Sequence, residues 1–453
     1  MIEITANVKT NTLVICPLIS GQDSVLSEEN RLREAVGLAL AINLNVVHQE
    51  VVHIKEIKAS MFFTRGFTAR MAPIIQEKQI ELMIVDFRIT PIQQRNLERE
   101  LHVKVIDRTA LILEIFGERA QTKEGVLQVE LAHLTYQRSR LVRSWTHLER
   151  QRGGAGFLGG PGETQIELDR RVIDGKILRI KKELEKVKRT RQIQRGARQK
   201  VPYPVVALVG YTNAGKSTLF NYLTASHVMA ADMLFATLDP TMRKVLLPGG
   251  MSVILSDTVG FISDLPHELV MAFRATLEEV LCADIILHVR DIYNPDSAAQ
   301  REDVLHVLQN MGLKDIDTVD FYFEVLNKSD LLSAEDRQYW AQKSAKNGQT
   351  VLVSALTGEG CTQLLNLIED RLCRQSELYR VKVPHTDGRL MAWLHQNSQV
   401  NHIETTENDH IYDVRLSAHQ AARLKRMIAE SDNIEMRKMN VKNTADNIWP
   451  AVD

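Results

Sequence analysis

Cysteine is scarce. The 453 residues hold four, Cys16, Cys282, Cys361 and Cys373, and no two form a C-x-x-C. That excludes a disulfide framework and suits buried thiols in a reducing compartment. Nowhere do eighteen apolar residues run together, so no membrane-spanning helix is expected. The start, Met1-Ile2-Glu3-Ile4-Thr5, lacks the basic and apolar stretches of a secretion signal. A cytoplasmic location is therefore the expectation. Net charge is nearly absent too, at −1, and by itself excludes no partner. Its distribution is informative. From Arg138 to Lys200 there are eighteen Lys/Arg and seven Asp/Glu, a local balance of +11, so the rest of the chain carries −12. A polyanionic partner would be sought in that segment.

What is present is an ordinary globular composition, 44% apolar and 25% charged, long enough for about three domains. The most informative stretch is Gly210-Tyr211-Thr212-Asn213-Ala214-Gly215-Lys216-Ser217. It follows an apolar run, Val205 to Val209, of strand length and precedes a helical pattern, Thr218 to Leu223. Strand, Gly-rich loop and helix in that order are the context of a phosphate-binding loop. Glycines let the backbone wrap an anion at a helix start. Lys216 can reach the β- and γ-phosphates, and the Ser217 hydroxyl can ligate Mg2+.

Further motifs follow in order. Val253 to Ser256 runs into Asp257-Thr258-Val259-Gly260. This suits a Mg2+-linked carboxylate and a glycine N–H facing the γ-phosphate. The next residue is Phe261, where many GTPases place a water-orienting Gln, so slow hydrolysis by the free protein is expected. Strands are expected at Asp284 to Val289 and Phe321 to Leu326. The second ends in Asn327-Lys328-Ser329-Asp330. A carboxylate at Asp330 can accept from guanine N1–H and its 2-amino group, which adenine cannot offer. Lys328 can lie over the base, and Asn327 can tie this loop to the phosphate loop. Val351 to Val353 leads into Ser354-Ala355-Leu356, whose backbone can meet guanine O6. Each motif alone is ordinary loop chemistry; their order at strand ends makes a guanine-nucleotide site.

Elsewhere, residues 1–125 alternate strand patterns (Thr12–Cys16, Glu81–Val85, His102–Ile106) with helical ones (Glu28–Ala41, Pro91–Leu101). They read as an α/β domain with a mostly parallel sheet. It has no phosphate-loop glycine pattern and is given no catalytic role. In 126–200, Leu127, Leu131, Leu134, Leu141, Trp145 and Leu148 form one helical stripe with Arg138 its only polar break. Ile166, Ile173, Ile177, Ile180, Leu184 and Val187 form another. Two such stripes predict an antiparallel hairpin. Its loop, Gly153 to Gly162, holds six glycines in ten residues. That loop is either a flexible connector or a tip whose backbone approaches another surface. The surrounding charge is either a solvated face or a nucleic-acid contact. Candidate contacts are Gly153, Gly154, Phe157, Gly160 and Gly162 at the tip, and Lys181, Lys182, Lys188 and Arg189 on the second helix. Residues 201–374 are the nucleotide domain, and 375–453 a small α/β module with a strand at His410–Leu416 and a helix at Ala418–Ile428.

These motifs together resemble the HflX GTPases, ribosome-associated members of the Obg–HflX group. The resemblance rests on Gly210 to Phe220, Leu-Phe-Ala-Thr-Leu-Asp-Pro-Thr from Leu234, and Asp257 to Phe261. Outside the nucleotide domain it rests on Gly-Pro-Gly-Glu-Thr-Gln from Gly160 with Asp169-Arg170-Arg171, Val-Ile-Asp-Arg-Thr from Val105, and Leu-Gln-Val-Glu-Leu-Ala from Leu127. It implies an α/β chain: a P-loop GTPase domain with an N-terminal α/β domain, a basic helical hairpin and a small C-terminal α/β domain. It also implies a first switch at Phe235, Ala236, Thr237, Leu238 and Asp239, with Thr237 as a second Mg2+ ligand. Lys216, Thr237 and Gly260 would then serve catalysis. Asn213 is either a loop-stabilising residue or, as in related GTPases, a K+ ligand beside the phosphates. The implied partner is the large ribosomal subunit and its rRNA, the implied activity GTP hydrolysis to GDP by a monomer that splits stalled ribosomes. Many members carry an Arg before Gly-Pro-Gly-Glu where this chain has Leu158-Gly159. Two rival readings are an RNA-binding assembly or anti-association factor whose hydrolysis only resets it, and a regulatory GTPase acting on a membrane protease or another protein partner.

Overall fold

The computed structural model describes residues 9–21, 27–144, 165–198, 203–225, 234–235, 241–263, 280–313, 316, 319–374, 377–406, 408–416, 421, 424–425, 427–428 and 434–439. The first part alternates strand and helix: β1 (Asn11–Ile19), α1 (Glu28–Ala41), β2 (Asn45–Ile54), α2 (Arg65–Glu77), β3 (Leu82–Val85), α3 (Pro91–Leu101), β4 (Lys104–Asp107) and α4 (Arg108–Arg119). The helices begin where polar caps dictate. Ser27 accepts from Asn30 N–H, Thr90 forms a capping box with Gln93 ahead of Pro91, and Asp107 accepts from Ala110 N–H. The sheet is parallel throughout, in the order β2-β1-β3-β4. The predicted parallel sheet is found, with one strand more than the sequence suggested. Unpredicted β2 lies at the edge, where nine of its ten residues are exposed or half-buried, so its sequence Asn-Val-Val-His-Gln-Glu-Val-Val-His-Ile shows no clean apolar run.

Two long helices follow, α5 (Lys123–Ser144) and α6 (Gln165–Arg198). Their apolar stripes face each other: Leu127, Leu131 and Leu134 pack against Ile173, Ile177, Ile180, Leu184 and Val187. Arg138, late in α5, meets Asp174, early in α6, as an antiparallel pair requires. The polar break Arg138 reaches Asp174 across the seam at 3.1 Å. An ion pair therefore fills the place where the stripe is interrupted. Trp145, Leu148 and the tip residues Gly153, Gly154, Phe157, Gly160 and Gly162 lie outside the described residues.

The nucleotide domain contains β5 (Val205–Val209), α7 (Lys216–Thr224), β6 (Thr241–Leu246), β7 (Ser252–Asp257), β8 (Ile285–Asp291), α8 (Ser297–Asn310), β9 (Tyr322–Asn327), α9 (Ala334–Lys346), β10 (Thr350–Leu352) and α10 (Cys361–Arg374). Its sheet runs β10-β9-β8-β5-β7-β6, parallel except for the edge strand β6. β5 lies between β7 and β8, so connections leave it in opposite directions and a crevice opens at its C-terminal end. The last part is an antiparallel sheet, β12-β13-β11-β14, built from β11 (Glu377–Pro384), α11 (Gly388–Asn397), β12 (Gln399–Thr405), β13 (Asp409–Leu416) and β14 (Glu435–Lys438). Leu390 and Leu394 of α11 cover one of its faces, against Val381, Val383 and Val414.

One apolar cluster crosses from the first part into the nucleotide domain. Val14, Ala35, Leu38 and Phe116 share it with Val209, Tyr211, Phe235, Val259 and Phe261. The two sheets therefore bury a face together rather than touching at a rim. Among the described residues, no helix is long and apolar enough to cross a membrane.

Candidate functional site

The C-terminal ends of the parallel strands bring the candidate residues to one edge. Gly210 follows β5, Asp257 ends β7, Asn327 ends β9, and Ser354 lies just past β10. The loop from Gly210 to Gly215 needs two backbone conformations that a side chain resists. Gly210 has φ 148, and a Cβ there would lie 2.2 Å from Val289 O. Gly215 has φ 90, and a Cβ would lie 2.2 Å from Asn327 Nδ2. Gly215 is the N-cap of α7 and offers no side-chain cap. The start of α7 therefore keeps the positive end of its dipole for an anion.

Lys216 is buried. Its Nζ donates to Gly210 O at 3.1 Å and Tyr211 O at 2.8 Å. Burial pushes its pKa down to about 8, partly opposed by Asp257. Ser217 Oγ donates to Asp257 Oδ2 at 2.7 Å. A hydroxyl and a carboxylate held this close, the latter fully buried, form a hard-oxygen donor set that fits Mg2+. Thr258 is tied back by its hydroxyl to Leu208 O at 2.6 Å. Asn213 is exposed, with φ 59. Ala214 is buried.

The base-recognition segments are linked to the phosphate loop through Asn327. Its Nδ2 donates to Ala214 O at 2.9 Å, and its Oδ1 accepts from Ala355 N–H at 2.9 Å. Ser354 Oγ donates to Asp330 Oδ1 at 2.6 Å, which orients that carboxylate. Ser329 N–H donates to Val353 O at 3.1 Å. Lys328 takes φ 67 and pairs with Asp291 at 2.7 Å. Leu356 is 77% exposed, an apolar side chain standing at the rim. Of the first switch, Phe235 is described, buried with φ 57. Ala236, Thr237, Leu238 and Asp239 lie outside the described residues.

Gly260 closes over the phosphate loop. A Cβ on it would lie 2.7 Å from Thr212 Cγ2 and 3.0 Å from Lys216 Nζ. Thr212 N–H donates to Phe261 O at 2.6 Å, and Phe261 N–H to Gly210 O at 3.1 Å. The Phe261 ring is 2% exposed and packs in the shared core. It can do nothing for a water molecule.

Sequence reasoning missed the contribution of the first part to this edge. Glu34 on α1 accepts from Tyr211 OH in the phosphate loop and, at 2.6 Å, from Ser263 Oγ just past Phe261. Ser263 N–H donates to the Tyr211 hydroxyl at 2.6 Å. Burial and Glu34 hold the Tyr211 pKa well above its usual value. Arg108 donates to Glu34, to Asp86, and to Ser263 O and Oγ at 2.9 and 3.0 Å. Burial opposes its charge, but Asp86 and Glu34 outweigh that and raise its pKa. Phe116 stacks edge-on against Phe235, centroids 4.7 Å apart. Arg108 stood inside a motif already singled out, Val-Ile-Asp-Arg-Thr; its partners, far away in sequence, could not be read. On the hairpin, Lys181, Lys182 and Arg189 are exposed. The Lys188 side chain lies outside those described.

Residues 29–117 match the family described as GTP-binding GTPase N-terminal, and 119–198 the GTP-binding GTPase Middle Region. Residues 205–328 match the 50S ribosome-binding GTPase family, and 340–438 the HflX C-terminal domain. The chain is similar to GTPase HflX of Magnetococcus marinus, 48% identical over 90% of this chain and 92% of the relative. It is 44% identical to GTPase HflX of Escherichia coli over 74% and 77%. It is 40% identical to that of Caldanaerobacter subterraneus subsp. tengcongensis over 88% and 89%.

Proposed function

From the premise that this chain belongs to the HflX family of GTPases, we propose that it binds the large ribosomal subunit and splits stalled ribosomes through a GTP-dependent switch. The observation that carries this reading is the hairpin. α6 buries one stripe against α5 and turns Lys181, Lys182 and Arg189 to solvent. That charge stands within the +11 segment of a nearly neutral chain. A phosphate backbone is the partner such a surface fits, and the Gly-rich tip would enter a narrow RNA site where charged side chains are hard to accommodate.

In the GTPase site, Asp330 would accept from the guanine edge, with Lys328 beside the base and the loop Ser354, Ala355 and Leu356 around it. Lys216 and the first turn of α7 would hold the phosphates. Ser217, Thr237 and Asp257 would hold Mg2+, which when bound neutralises phosphate charge. Asn213, exposed beside the phosphate loop, would reach K+. Gly260 N–H would meet the γ-phosphate and carry its presence into the second switch. With Phe261 buried, the position after Gly260 offers no water-orienting side chain. The large subunit would therefore complete the site, coupling turnover to the target.

The test is GTP turnover with and without purified large subunits, alongside light-scattering measurement of ribosome dissociation. Stimulation is expected, and it should weaken as salt rises. Charge reversal at Lys181, Lys182, Lys188 and Arg189 should weaken subunit binding and leave nucleotide affinity intact. Shortening Gly153 to Gly162 should spare binding and impair separation. Unstimulated turnover, or full splitting by the shortened form, would refute the proposal. Comparing GTP with a non-hydrolysable analogue separates splitting driven by binding from splitting driven by hydrolysis. Equal turnover in K+ and Na+ would remove the role given to Asn213.

A further inference from the structure

We propose that Asp107 and Arg108, adjacent residues at the β4–α4 junction, are positioning residues that couple the second switch to α5, the first helix of the hairpin. The inference rests on the reading above only in making the hairpin the ribosome-binding element. Arg108 is the switch-facing half. It is 4% exposed, and its guanidinium joins Asp86 and Glu34 to the backbone and hydroxyl of Ser263. Ser263 lies three residues past Gly260.

That segment has to respond to nucleotide. A Cβ on Gly260 would lie 3.0 Å from Lys216 Nζ, so the glycine backbone and the lysine that would hold the γ-phosphate are neighbours. On this proposal a γ-phosphate takes Lys216 off Gly210 O and Tyr211 O and draws the Gly260 N–H toward itself, and Ser263 moves with Gly260 or parts from Arg108.

Asp107 is the hairpin-facing half and is fully buried. Its Oδ1 accepts from Tyr136 OH at 2.8 Å and caps α4 at Ala110 N–H, also at 2.8 Å. Its Oδ2 accepts from Arg140 Nη1 at 3.0 Å. Tyr136 and Arg140 are one turn apart on α5. Arg140 also donates to Tyr136 OH at 2.7 Å and to Gln94 Oε1 of α3. One peptide bond thus separates a side chain gripping the second switch from a side chain gripping the first hairpin helix. Asp107 and Arg108 are buried and their partners buried or half-buried, so a half-broken arrangement is costly and discrete alternatives are favoured over gradual drift. Coupling of this kind is reciprocal: a hairpin held by RNA would bias the second switch.

A cluster that merely glued the parts together would act alike in every nucleotide state, and the test uses that difference. Hydrogen exchange of the α5 amides is measured in the free protein with GDP and with a non-hydrolysable GTP analogue. The parent should show rates that differ between nucleotides by about threefold or more. Tyr136→Phe, which removes only the hydroxyl, and Ser263→Ala should each lose most of that difference, with nucleotide affinity within about twofold of the parent. No difference in the parent, or an undiminished one in both variants, overturns the relay. Large-subunit affinity is then compared in the two nucleotide states. The relay predicts that the GTP-to-GDP ratio falls toward one in Tyr136→Phe; an unchanged ratio counts against it. A parent that ignores large subunits refutes the ribosomal reading, while the exchange result still decides the relay.

Discussion

Replacing Asn327 with Ala should damage both stability and nucleotide binding. The side chain is 2% exposed and serves two segments at once, donating to Ala214 O and accepting from Ala355 N–H, each at 2.9 Å. Truncation orphans two backbone groups, and each unpaired buried group costs about 1–3 kcal/mol. The sum is about 2–6 kcal/mol. The vacated volume borders a loop that water reaches, and a water molecule there would satisfy one group. The lower half, about 2–4 kcal/mol, is therefore expected. That is a large part of a typical domain's stability. The phosphate loop and the base-recognition loop would then have to be ordered when nucleotide binds, which should weaken GDP by about tenfold. Urea denaturation without nucleotide measures the first effect, since bound GDP would mask it. Calorimetric titration with GDP measures the second. Asn327→Asp keeps the acceptor but sets a carboxylate against Ala214 O, and should do no better than Ala. A loss under about 1 kcal/mol with GDP affinity unchanged would refute the reasoning.

Asp330→Asn should weaken GTP by about a hundredfold or more and favour xanthosine triphosphate, because the amide donates to the 2-oxo group; unchanged GTP affinity in competition binding would remove the assignment. Gly215→Ala should abolish tight GDP binding, since φ 90 and the 2.2 Å approach to Asn327 Nδ2 both oppose a methyl; parental affinity would show that the loop relaxes. His288 is buried beside Tyr322 and its pKa is pushed down from 6.5 to about 3, by burial first and Arg290 second. Its neutral form contributes stability fully above pH 6.5, and this is lost as pH falls toward 3, because only the unfolded chain takes up the proton. At pH 5 the loss is about 2 kcal/mol, so His288→Phe should flatten the denaturation profile between pH 5 and 6.5, and an unchanged slope would count against the assignment.

The nucleotide site was legible to the extent that its chemistry sits in contiguous motifs at strand ends. Gly210 to Ser217, Asp257 to Gly260, Asn327 to Asp330 and Ser354 to Leu356 each show residue types that phosphate or base recognition requires, and the sheet brings them to one edge. The hairpin was legible because two apolar stripes carry the helical period. Its one irregularity, Arg138, became intelligible only when Asp174 was found opposite. Glu34, Arg108 and Ser263 were not legible. They are 74 and 229 residues apart in the pairs they form with Glu34, and nothing local distinguishes a carboxylate that meets a phosphate loop from one on a solvated helix. β2 escaped because an edge strand shows neither a continuous apolar run nor a strict alternation.

The apolar cluster shared by the two sheets has a consequence during synthesis. Phe116 and Leu38 are made early, and Phe261, which buries the same face, follows Phe116 by 145 residues (261 − 116). At about 5–20 residues per second, the N-terminal part waits about 7–30 s on the ribosome with that face uncovered. Such a nascent chain is a natural client for a holding chaperone. A truncation ending before residue 205 would leave the same surface exposed permanently and should aggregate when expressed alone.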